Sequence, residues 1–250
     1  MPAPWSLCIK YWGVRGSIPS SQTPGDWAIH IDGVFRSFFA AGFREPGQIA
    51  KYLSSQELPQ IGGYGTATTC VEILSNKGQI IIDGGSGIRT LSDKIMSGTY
   101  GRTRGPFHIL LTHFHWDHVI GLPFFTPHFV PGISIHYYAV EKDLENLIRG
   151  IFRKPYFPVP FEALNAKIQS HVLDPYKSFK IDDIVITPYK LDHPDPCWGY
   201  RIESGGKVYS HCVDTEGTRV SREELGADLP LYQGVDLMYF DAQYLSLIHI

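Results

Sequence analysis

An apolar run over 107–112 (FHILLT) leads directly into His113, His115, Asp117 and His118. Three imidazoles and a carboxylate within six residues, at the end of a strand, constrain this chain more than anything else in it. His113 and His115 are two apart, so an extended backbone points both rings the same way. Asp117 and His118 then open a predicted helix over Val119–Phe125, and from there their side chains return to the same pocket. Imidazole and carboxylate donors suit zinc, manganese or iron. No cysteine is among them, which argues against a closed structural zinc site. The plainer reading, a solvated histidine-rich turn, requires this spacing of four ligand-type residues to arise by chance.

Around this segment the hydrophobic pattern alternates between two periods. Strand-like runs fall at Leu7–Trp12, Thr69–Leu74, Gln79–Ile82, Phe107–Thr112, Ile133–Tyr138, Ile184–Leu191, Gly199–Glu203, Lys207–Cys212 and Leu237–Phe240. The second and third of these read as a hairpin across Ser75–Gly78. Helical spacing appears over Gly87–Met96 and Val140–Phe152. The mixture predicts an α/β protein. Residues 26–58 stand apart as a helical insertion, with Ile31, Val34, Phe35, Phe38 and Phe39 in helical rhythm. It is too short to hold a core alone. Its aromatic stripe is expected to cap a site mouth, to form a dimer interface, or to pack on the flank of the fold.

Composition narrows the class. Hydrophobic residues make up 43% and charged residues 19% of 250 residues, which suits a globular chain. The net charge of -3 implies no broad basic surface for a long nucleic acid. Cys8, Cys70, Cys197 and Cys212 are scattered, so a reducing cytoplasm is expected and no disulfide framework. Apolar runs are too short to span a bilayer, and no membrane partner is expected.

With these motifs in hand, the chain resembles the metallo-β-lactamase superfamily, whose signature HxHxDH matches His113–His118. The resemblance runs over most of the chain, which reads as one metallo-hydrolase domain over 1–250. It implies an αββα sandwich of two mixed sheets flanked by helices. It matches Asp83 to an aspartate that orders the metal loop without being a ligand. His193, within 191–202 (LDHPDPCWGYRI), matches a third metal-binding histidine, and Asp214 an aspartate that bridges two ions. WGVRGSIP (12–19), TTCVEI (68–73), PYFPVP (155–160) and FDAQY (240–244) look like a phosphodiesterase-like branch, similar to transfer-RNA 3′-processing nucleases and cyclic-phosphate phosphodiesterases.

The resemblance implies two divalent ions, zinc first and manganese or iron as alternatives. His113, His115, His193 and Asp214 would hold one ion. Asp117, His118 and Asp214 would hold the other. Two ions about 3.5–4 Å apart can share a water and lower its pKa, so a metal-bridged hydroxide would cleave a small phosphodiester or nucleotide-type substrate. Asp117 carries the catalytic expectation, as the group that orients the hydroxide or takes its proton. The alternatives are a thioester hydrolase of the same fold and a metal-binding protein with little turnover. A homodimer is compatible with either class.

Lesser signals stay secondary. Gly84–Gly87 is not a Walker loop, because no Gly-Lys-Ser/Thr follows, and it reads as a tight turn beside the metal loop. Arg15 and Ser17 either meet a substrate phosphate or serve structure, with Arg15 pairing a buried carboxylate. The substrate-binding residues are otherwise open. His211 is expected in the core, and His30, His108, His128, His136 and His171 have no supporting pattern. Residues 245–250 read as a non-native tail on a C-terminally truncated chain, so His249 is not expected to be a ligand.

Overall fold

The computed structural model describes residues 7–56, 63–98 and 105–241. The expected tail over 245–250, with His249, lies outside the described residues. Two sheets form. The first runs β1 (Leu7–Gly13), β2 (Cys70–Ser75), β3 (Gln79–Ile82), β4 (Phe107–Leu110), β5 (Ser134–Ala139) and β6 (Lys167–Val172), each beside the next. Its first two pairings are antiparallel and the rest parallel. The second is ordered β11 (Leu237–Phe240), β10 (Lys207–Cys212), β9 (Trp198–Ser204), β8 (Ile184–Lys190) and β7 (Phe179–Ile181), antiparallel except for β10 with β11.

The side-chain period of two decides the layering. Ile80 and Ile82 of β3 join Val71, Ile73 and Leu110 on one face and meet Ile184, Ile186, Tyr200 and Ile202 of the second sheet. Ile81 points the other way, with Ile109, Ile135 and Tyr137. That outer face is covered by α3 (Ile88–Met96) through Ile88, Leu91 and Ile95, and by α5 (Leu144–Ile151) through Leu144 and Ile148. On the far side Leu231, from a 3₁₀ turn over Gly226–Leu231, closes a small cluster with Leu191, Cys197 and Cys212. The turn follows the short α6 (Arg222–Leu225). This is the αββα sandwich. A strand buried on both faces carries no hydropathy alternation, which is why β3 reads as a plain isoleucine run.

Two strands escape the sequence pattern. β6 and β7 each lie at the outer edge of a sheet, and β6 (KIQSHV) buries no residue fully. Between β1 and β2 stand α1 (Pro24–Ala40) and α2 (Ile49–Ser54), separated by a 3₁₀ turn over Pro46–Gln48. Thr23 caps α1 in a reciprocal box with Asp26, and Pro24 sits in its first turn. The sandwich flank does not cover this segment: Phe38 and Tyr52 are its buried side chains, and most of its apolar stripe faces solvent. No helix among the described residues is long and apolar enough to cross a membrane.

Candidate metal centre

The strand that opens the site is short. β4 stops at Leu110, and the chain runs on through Thr112 to His115 before α4 (Trp116–Val119) begins. Asp117 and His118 therefore lie inside this helix, not ahead of it. The expected helix over Val119–Phe125 does not form. α4 ends at Val119, and only a 3₁₀ turn over Leu122–Phe124 follows. Pro123 has no N–H to continue an α-helix. Gly121 is pressed against another turn, where an added Cβ would lie 2.1 Å from the Gly85 carbonyl oxygen.

That other turn is Gly84–Gly87. Gly84 donates its N–H to the His118 carbonyl over 2.7 Å, and Gly121 donates to Gly84 over 2.8 Å. A side chain at position 85 would meet the Asp117 carbonyl at 2.3 Å. The glycines thus let two backbones clamp together, which fits the reading of a tight turn beside the metal loop.

Two donor groups result. In one, His113, His115, His193 and Asp214 offer ligand atoms all within 4.8 Å of one another; in the other, Asp117, His118 and Asp214 do the same. His193 arrives after β8 and Asp214 after β10, so strands of both sheets deliver the candidate donors to one end of the sandwich. His193 Nε2 is 3.3 Å from His115 Nδ1. Asp214 Oδ2 is 3.5 Å from His113 Nε2 and 3.0 Å from His118 Nε2, which places it between the groups. Asp117 Oδ2 is 3.5 Å from His118 Nε2.

The surrounding bonds fix these rings. Asp83 is fully buried; its Oδ2 sits 2.8 Å from His118 Nδ1, and its Oδ1 accepts the Thr112 N–H over 2.9 Å. Asp83 therefore orients His118 and stands outside both donor groups. His115 Nε2 pairs with Asp195 Oδ2 at 2.8 Å, which turns Nδ1 to the centre. Thr112 Oγ1 (3.1 Å) and Cys197 Sγ (3.5 Å) flank His113 Nδ1, turning Nε2 inward. Asp192, next to His193, is gripped by Arg219 and Thr218. Ser17 donates its N–H to Asp117 Oδ2 over 2.7 Å.

Of these supports the sequence ties only Asp83 to the metal loop; Ser17 is expected at a substrate phosphate or in a structural role, and its backbone N–H serves Asp117. Asp195 lies two residues from His193 and between two prolines, a position from which a carboxylate can be expected near the site. His211 is fully buried, as expected of a core residue, with Tyr209 Oη 2.9 Å from Nδ1.

Electrostatics separate the two groups. Burial and the neighbouring His118 push His113 down to about 3. Burial acts the same way on His118, yet Asp83, Asp117 and Asp214 overcome it and hold that imidazole well above its usual range. In turn His118 keeps Asp117 and Asp214 below the usual carboxylate range against their burial. Ser17, Asp83 and Asp214 all adopt left-handed backbone (φ 62°, 60° and 47°). Such conformations cost energy in residues with a Cβ and gather at functional sites.

The residues fit a divalent cation on their own evidence. His113 Nε2 is buried and has no hydrogen-bond partner among the described residues. Leaving such an atom unsatisfied costs about 1–3 kcal/mol. Coordination removes that cost, and three imidazoles with a carboxylate form a donor set suited to zinc.

The chain is 28% identical over 144 residues to ribonuclease Z of Clostridium acetobutylicum, covering 56% of this chain and 45% of the relative. It thus spans about half the length of the curated relative it matches. Among solved structures, the short form of human tRNase Z is 19% identical with a TM-score of 0.49, covering 72% of this chain and 74% of that one. YhfI of Bacillus subtilis, a metallo-β-lactamase fold protein, is 19% identical with a TM-score of 0.43, covering 58% and 55%. Residues 79–247 match the family described as the β-lactamase superfamily domain, a span that runs from β3 past β11 and holds both donor groups. The chain belongs to the metallo-β-lactamase superfamily.

Proposed function

We propose that this chain is a zinc-dependent phosphodiesterase acting on a nucleotide-type diester: a cyclic phosphate, a nucleotide or an RNA-type linkage. A cavity of about 680 Å³ lies beside the donor groups. His118 and Asp214 are on its wall, with Arg15, Tyr64 and Phe240. Its size suits a mononucleotide. Arg15 carries the reading. The residue is exposed on that wall, and its guanidinium makes no hydrogen bond or ion pair among the described residues. A free guanidinium beside a dication site matches a phosphate in charge and in forked geometry. The reacting thioester or lactam carbonyl carries no anion for it to pair with. The likeness to ribonuclease Z supports an RNA-type diester as one natural substrate.

In this reading His113, His115, His193 and Asp214 hold one ion, and Asp117, His118 and Asp214 the other. Bound dications supply Lewis acidity to a phosphoryl oxygen and lower the pKa of a water. Asp117 has one oxygen engaged by the Ser17 N–H, leaving the other to orient the attacking water and take its proton. His118 keeps that carboxylate ionised near neutral pH. Arg15 binds the phosphate and aligns the diester. The four cysteines are unpaired, which supports a cytoplasmic setting.

The test sets bis(p-nitrophenyl) phosphate, a glutathione thioester and a β-lactam side by side on zinc-loaded protein. The phosphodiester is expected to turn over fastest, with Arg15→Ala raising KM about tenfold and Asp117→Asn lowering kcat at least about 100-fold. Faster thioester turnover, insensitive to Arg15→Ala, contradicts the proposal.

A further inference from the structure

The helical segment between β1 and β2 leaves an organised apolar surface in water. Trp27, Ile31, Phe35 and Phe39 follow one another at intervals of four along α1, so they form one continuous stripe. Each is about half exposed, between 47% and 52%. Phe38 turns away from the stripe, stacking on Phe43 at 5.4 Å and meeting Tyr52 of α2 edge-on at 5.3 Å. Ile49 and Leu53 of α2 are also exposed. A solvated helix face normally carries charge, and this stripe has none of its own, only Arg44 reaching its end, 5.8 Å from the Phe39 ring.

Three features point to a second copy of this chain as the cover. The first is area. Half-exposed side chains of this size leave roughly 100 Å² each, so the stripe with Ile49 and Leu53 offers about 600 Å². A symmetric pair then buries about 1,200 Å², the lower end for specific interfaces. The second is self-complementarity. The stripe is symmetric about position 33, with Trp27 and Phe39 at its ends and Ile31 and Phe35 within. Two copies laid antiparallel about a two-fold axis place Trp27 against the partner's Phe39 and Ile31 against the partner's Phe35. The third is charge. Antiparallel helices bring the same flank of each together, and one flank carries Asp32 and Arg36, already paired within the helix. Across the two-fold, Asp32 lies beside the partner's Arg36. A membrane surface would instead favour a cationic flank, and Asp26 and Asp32 oppose that.

We propose that α1 is a dimerisation helix, pairing two copies of the chain antiparallel through Trp27, Ile31, Phe35 and Phe39. Sedimentation equilibrium on the whole chain tests it. The wild type is expected at twice the chain mass at micromolar concentration. Phe35→Asp should run at the single-chain mass with an unchanged circular dichroism spectrum, since the side chain is half exposed. Ile29→Asp, on the opposite side of the helix and 76% exposed, should remain dimeric. Asp32→Arg should weaken the dimer, and Asp32→Arg with Arg36→Asp should restore it. A monomeric wild type, a dimer indifferent to Phe35→Asp, or a monomer that binds phosphatidylcholine vesicles through Phe35 would overturn the proposal.

Discussion

Ser17 and Asp117 are a hundred positions apart, and the backbone N–H of the first donates to Oδ2 of the second over 2.7 Å. The bond ties the loop after β1 to the helix that carries two of the candidate metal-site residues. Ser17 holds it from left-handed backbone, at φ 62°.

Ser17→Pro should therefore lower kcat about 10- to 100-fold, because proline removes the donor and cannot reach positive φ, and a misplaced catalytic group costs about that much. Ser17→Gly keeps the N–H and relieves about 1 kcal/mol of backbone strain, so activity should persist and Tm should not fall. Diesterase assays and thermal melts on both variants check this. Ser17→Pro with wild-type turnover would remove Asp117 positioning from the account.

Metal binding should depend on pH differently at the two groups. His118 has its pKa raised by three carboxylates, so a cation entering its group must displace a proton around neutral pH. Affinity there should rise with pH, about tenfold per unit, until the raised pKa is passed. His113, pushed down to about 3, has already lost its proton and adds no such slope at the other group. Calorimetric zinc titrations at pH 6 and pH 8 should show one steep and one shallow dependence. Equal slopes would contradict the assigned protonation states.

Acid stability offers a test away from the metals. Fully buried His128 has Tyr137 Oη 2.7 Å from Nε2 and the Phe125 carbonyl 3.0 Å from Nδ1. Burial pushes its pKa down to about 4. The unfolded chain takes up the proton near pH 6.5 and the folded chain does not. Stability from this group is thus complete above about pH 6.5 and is lost as pH falls towards 4. At about 1.4 kcal/mol per unit, the loss reaches roughly 3 kcal/mol. Urea midpoints of metal-free wild type and His128→Gln at pH 7.5 and pH 4.5 measure it. The wild type should lose more stability than the variant, and equal losses would refute the assignment.

The candidate centre was legible where its logic is local. His113, His115, Asp117 and His118 announce themselves by spacing, and Asp83, His193 and Asp214 by resemblance to a family. Supports that act across the chain were not. Ser17 contributes a backbone N–H, which its side chain does not encode, and Asp195 meets a histidine 80 positions away. The helix expected after His118 failed because Gly121 answers to Gly85, on another loop. β6 and β7 hid for a different reason: edge strands bury too little to impose a pattern. Exposed aromatics on α1 were visible as a stripe, and among the described residues most of it stays open to solvent.

Asp214 is the residue on which both donor groups depend. Zinc content after equilibration and dialysis, measured by mass spectrometry on folded wild type and Asp214→Ala, tests the two-ion centre most directly. The wild type should retain two ions, the one at the four-donor group more tightly than the one at the three-donor group. Asp214→Ala should retain fewer than one and lose diesterase activity. An Asp214→Ala protein that still holds two zinc ions would contradict the centre described here.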